Sequence, residues 1–124
     1  MATRDLQHNI LPVQALAAQS ALAVDTDTAG VDLQGFESAV FVVNQGAVVD
    51  AGFAAALEES DDNAAFTAVA ASETLGAIVA TASSSQSIGY IGSKRYVRLA
   101  LTVPGATDVG VTAILSCAHD APAQ

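Results

Sequence analysis

Residues 95–103 read Arg-Tyr-Val-Arg-Leu-Ala-Leu-Thr-Val, and this two-residue alternation narrows the possible folds more than any other feature of the chain. Successive side chains of an extended strand point to opposite faces. Val97, Leu99, Leu101 and Val103 therefore share one face, and Tyr96, Arg98, Ala100 and Thr102 the other. The first set is a stripe that must be buried. A helix would scatter the same residues around its circumference and leave apolar side chains in water.

The rest of the chain from Ala21 onward breaks into comparable short runs of Val, Ile, Thr, Phe and Tyr, bounded by Gly, Asp, Asn or Ser. This pattern predicts strands at residues 21–25, 31–33, 38–44, 53–60, 66–71, 78–82, 86–91, 95–103 and 109–118. The segment Ser38-Ala39-Val40-Phe41-Val42-Val43-Asn44 is apolar at nearly every position, which predicts a mid-sheet strand covered on both sides. Around Asp61-Asp62-Asn63 the chain should turn, because these side chains bond their own backbone. Ser72 to Gly76 suits a single helical turn ended by glycine. The fold class expected is all-β: an antiparallel β-sandwich or barrel, jelly-roll-like, of about eight or nine short strands.

The first 20 residues differ in kind. Leu6, Ile10 and Val13 have helical spacing, but Pro12 interrupts it and strand alternation is missing. Residues 1–20 are therefore expected to be an arm, extended or partly helical, residues 21–119 a single β domain, and residues 120–124 a flexible tail. At 124 residues the chain supports one core. Its N-terminus lacks the basic start and uninterrupted apolar run of a signal peptide, so use without export is expected. No stretch approaches the roughly 20 apolar residues of a membrane span.

Charge excludes some partners. With a net charge of -9 and four basic residues in all, the chain lacks the basic stripe that displaces counterions from nucleic acid. Three of the four bases, Lys94, Arg95 and Arg98, fall within five positions. Two readings stand side by side: a patch that steers an acidic partner, or local neutralisation of nearby carboxylates.

Candidate chemical sites are thin. Glu58, Glu59, Asp61 and Asp62 lack the order that wraps ligands around calcium, and Asp25-x-Asp27-x-Ala29-Gly30 fails at its fifth and twelfth positions, so both read as solvated turns. Cys117 and His119 would give two soft metal ligands, but only the distant His8 remains to add another, and Cys117 reads as a small buried hydrophobe. No nucleophile elbow occurs. The segment Gly89 to Arg95 carries a G-x-x-G of the kind found in some RNA-binding modules, yet its flanks are strand-like and a tight β-turn is expected. No catalysis, metal or cofactor is predicted.

Three segments together, Val31-Asp-Leu-Gln-Gly-Phe-Glu-Ser-Ala-Val, Leu57-Glu-Glu-Ser-Asp-Asp-Asn-Ala-Ala-Phe-Thr-Ala-Val and Ile88-Gly-Tyr-Ile-Gly-Ser-Lys-Arg-Tyr-Val-Arg-Leu, resemble small proteins encoded among the head genes of tailed phages and prophages. The resemblance runs over residues 10 to 119 and includes the segment Asn9-Ile10-Leu11-Pro12-Val13-Gln14-Ala15. It implies a virion structural protein made in the host cytoplasm, and leaves open head decoration, head-tail connection and tail.

Decoration is the leading expectation. In that role the protein binds the major capsid protein on the outer surface of the head, as a homotrimer, and stabilises capsomer contacts. Leu6, Ile10, Leu11 and Val13 of the arm would contact the shell, with Lys94, Arg95 and Arg98 as a further electrostatic contact. A carbohydrate-binding β-sandwich is the alternative from another class, disfavoured by the absence of Trp.

Overall fold

The computed structural model describes residues 7, 8 and 10–118. Ten strands form two five-stranded antiparallel sheets packed face to face as a sandwich, not closed into a barrel. The first sheet has the order β1 (Ile10–Leu22), β10 (Thr107–Ala118), β4 (Phe36–Gln45), β8 (Ser84–Tyr90), β7 (Thr74–Leu75). The second runs β2 (Thr26–Asp27), β9 (Tyr96–Thr102), β5 (Ala54–Ser60), β6 (Thr67–Ala68), with β3 (Val31–Asp32) also paired to β9.

The predicted stripe is the heart of the core. Val97 and Leu99 are wholly buried, and Leu101 and Val103 nearly so. Opposite them the first sheet supplies Phe41 and Val43 from β4, and Val111, Ala113 and Leu115 from β10. Burying a Leu or Phe side chain contributes roughly 1.5–3 kcal/mol. Strand β4 is mid-sheet as expected, but it alternates: Ala39, Phe41 and Val43 are buried while Val40 and Val42 are half-exposed. Among the described residues, no element packs on its outer side.

The N-terminal expectation needs correction from residue 10 onward. Residues 10–22 are not a free arm but the edge strand β1, paired along β10 from Ile10 opposite Ser116 to Leu22 opposite Thr107. Leu11 and Val13 pack against the chain's own core. Pro12, which argued against a helix, is tolerated on an edge strand because its missing N–H leaves no ladder bond unmade there. Three register shifts, between Gln14 and Leu22, broke the alternation that would have shown the strand. Leu6, His119 and the tail expected at 120–124 lie outside the described residues.

Residues 78–82 are not a strand either. Two glutamines take the place of a partner strand. Gln45 Nε2 donates to Val79 O at 2.9 Å, and Thr81 N donates to Gln45 Oε1 at 2.9 Å. Gln86 does the same for Val79, whose N–H it accepts at 2.8 Å. The expected turn at Ser72 to Gly76 is a 3-10 turn at Ala71–Glu73 followed by β7.

Gln45 is 4% exposed, and removing its amide takes away both of its bonds to the chain at Val79 and Thr81, each worth about 1 kcal/mol. Gln45→Ala should therefore cost about 2 kcal/mol in urea unfolding. Hydrogen exchange should show early loss of protection at the Thr81 amide.

Candidate interaction surface

The two outer faces of the sandwich are chemically unlike. On the second sheet, Arg98 of β9 stands opposite Glu58 of β5, with Nε to Oε1 at 2.7 Å, and also pairs with Asp27 at 3.4 Å. Its guanidinium lies over the Phe66 ring at 4.2 Å. Arg95 grips Asp32 with two bonds of 3.0 and 2.9 Å and rests against Tyr96. That guanidinium holds the Asp32 carboxyl below its usual range. Lys94 Nζ meets Asp61 at 2.9 Å, which raises the ammonium's pKa. All three basic residues are thus engaged inside the molecule, as local neutralisation of carboxylates requires.

The acidic segments are equally occupied. Asp62 Oδ1 accepts the Ser60 hydroxyl and the N–H groups of Ala64 and Ala65, which closes the turn between β5 and β6 and lowers its pKa. Asp25 Oδ1 accepts Val103 N–H at 2.7 Å, and Thr28 Oγ1 accepts Leu99 N–H at 2.9 Å. The Asp25 to Gly30 stretch is a strand partner for β9.

Gly89 to Arg95 is not a hairpin turn but a corner, since Tyr90 ends a strand of the first sheet and Tyr96 opens one of the second. Tyr90 is the pin of that corner. Its buried hydroxyl donates to Glu59 Oε1 at 2.8 Å and accepts Lys94 N–H at 2.9 Å. A side chain at Gly92 would collide with this hydroxyl and with Glu73. Beside the corner a groove of about 750 Å³ is lined by Leu33, Phe36, Ala39 and Tyr90, with Lys94 and Arg95 at its rim.

The outer face of the first sheet is the opposite. Register places Pro12, Ile114, Val40, Gly89 and Leu75 in one row across all five strands. The next row is Gln14, Thr112, Val42 and Ser87, and Ile10, Ser116 and Ser38 lie on the other side. No residue of these three rows is charged; Asp108 stands only at the far margin, tied to Ala21 N–H. Leu75 and Ile91 are 57% and 54% exposed. Together with Val40 they wall a hollow of about 550 Å³ whose floor is Gly89. Ile10 falls in this face, whereas Leu11 and Val13 point inward. Sequence reasoning missed the surface because its members are close only through register.

Comparison of the sequence with protein families and with curated proteins gives no match. Among solved structures the fold is similar to the SPBc2 prophage-derived protein YomS, with a TM-score of 0.57 and 12% identity over 86% of this chain and 92% of that one. A chain from Bacillus endospore appendages, described as disulfide-linked pili, aligns with a TM-score of 0.45 and 14% identity over 87% of this chain and 88% of that one. The YomS likeness shows the fold that both proteins use.

Burial and the bond to Glu59 push Tyr90 from its ordinary 10.0 up to about 12. The fold therefore favours the protonated phenol, and the unfolded chain releases that proton first. Stability is fully present below pH 10 and is lost as pH rises toward 12. Urea midpoints measured across that window should fall, and Tyr90→Phe should flatten the fall while costing about 1–2 kcal/mol at neutral pH.

Proposed function

We propose that the chain is a structural protein of a phage-type particle, and within that class a decoration protein that binds the outer surface of the head and stabilises contacts between capsomers. The observation that carries this reading is the division of the surface: an acidic, internally paired face on one sheet and an uncharged face with an apolar row on the other. A component that waits free in solution and then joins an assembly needs both. Like net charge confines association to the face that carries none, and apolar area there supplies the contact energy.

Two further facts support the reading. The three segments described above resemble phage head-gene proteins. The fold is shared with a prophage-derived protein across nearly the whole of both chains. The carbohydrate-binding alternative gains nothing from the aromatic residues. Phe41, Phe53 and Tyr90 are buried, Phe36 packs against the core, and Phe66 and Tyr96 lie under arginines. None offers the open ring on which a sugar stacks.

The test is made on particles. Heads assembled without this protein should lose integrity at lower temperature, and adding the purified protein should restore them. Quantitative gels of intact particles should give a copy number of the same order as the shell protein. A small fixed number matching one ring would move the protein to the neck or tail, and absence from particles would end the virion reading.

A further inference from the structure

We infer that two copies of this chain pair through the outer face of the first sheet, about a two-fold axis that runs parallel to β4 and passes between their Val40 side chains. The row Pro12, Ile114, Val40, Gly89, Leu75 is the basis. Stacking two copies face to face about such an axis reverses the order of strands, so the row of one copy meets the same row read backwards. Ile114, the largest side chain in the middle of the row, then enters the hollow over Gly89 of the other copy. Pro12 meets Leu75, and Val40 meets Val40.

The hollow is open for this. A Cβ built at Gly89 would meet its nearest neighbour, Leu75, at an ordinary contact distance of 3.5 Å. A two-fold contact must be self-complementary, and a bulge and a hollow one strand on either side of a central valine satisfy that condition.

Charge points to the same occupant. Any second copy brings the same net charge of -9, and like charges opposed across a contact are strongly unfavourable. The three rows are uncharged, so the two copies meet without that penalty there, whereas the second sheet would set Glu58 and Asp27 against themselves. Size sets the strength of the contact. The three rows hold five, four and three residues; at about 4.8 Å between strands and about 6.6 Å between rows they present about 380 Å² in projection, which places the pairing in the small, weakly associating class of interfaces. Face-to-face pairing is two-fold, in place of the homotrimer expected of a decoration protein. It draws on the same neutral face as the virion reading, but the two are tested apart: pairing by mass in solution, the virion reading by copy number in particles.

The experiment is light scattering with size exclusion on the full chain at tens of micromolar. The mass expected is twice the 12.4 kDa of one chain. Val40→Lys sets two like charges against each other at the axis and should weaken pairing by about 100-fold or more. Ala100→Lys, placed at the same depth on the outer face of the second sheet, should leave it intact. Circular dichroism confirms that each variant is folded.

A second measurement does not depend on disrupting the face. In a Cys117→Ser background, Val40→Cys should be captured as a dimer by a short bis-maleimide whose reach suits sheets packed about 10 Å apart, and Ala100→Cys should not. A wild-type monomer, a trimer, a dimer that survives Val40→Lys, or cross-linking at Ala100 instead of Val40 would each overturn the pairing. None of these outcomes bears on whether the protein is found in particles.

Discussion

Everything in this molecule hangs on one layer of side chains held between two sheets. Phe41 and Val43 from β4, Val111, Ala113 and Leu115 from β10, and Val97 and Leu99 from β9 are buried almost completely, and each is two residues from the next on its strand. Because the side-chain period of a strand is two, fixing these residues inside also fixes which residues face out. The outward residues of β4 and β10 are therefore free of any duty to the core. That Val40, Val42 and Ile114 are nonetheless apolar is a property the fold does not require.

Where the ladders end, polar side chains complete them. Gln45 and Gln86 stand in for a strand beside residues 79–81, Asp25 and Thr28 receive N–H groups from the β9 region, and the Tyr90 hydroxyl joins the two sheets at their corner. The same logic governs charge. Arg95, Arg98 and Lys94 are each matched to a carboxylate, on or beside the second sheet. The result is a rigid block with one face whose ions are paired at home and one whose three central rows, among the described residues, carry no charge.

The alternation of residues 95–103 declared both the class and the core, because the strand is regular and its partners lie on either side of it. Strand β1 was hidden for the opposite reason: its register shifts three times against β10, so no single period survives in the sequence. Residues 78–82 looked like a strand from their apolar content, but their hydrogen bonds go to amides 34 and 36 residues away in one case and 7 in the other. The pairing of the basic residues was legible only as one of two readings, since Asp27 and Asp32, and Glu58 and Asp61, come from two stretches far from residues 94–98 in the chain. The apolar row was invisible, because Pro12, Val40, Leu75, Gly89 and Ile114 share no local pattern.

The central claim is that contact between copies belongs to the neutral face and not to the charged one, and salt separates the two directly. Sedimentation of the wild-type chain from about 0.05 to about 0.5 M salt screens charges on both faces. A neutral contact between acidic copies predicts association that is unchanged or tighter as salt rises. Association that weakens markedly with salt would contradict the account, and would place Lys94, Arg95 and Arg98 of one copy against the carboxylates of another.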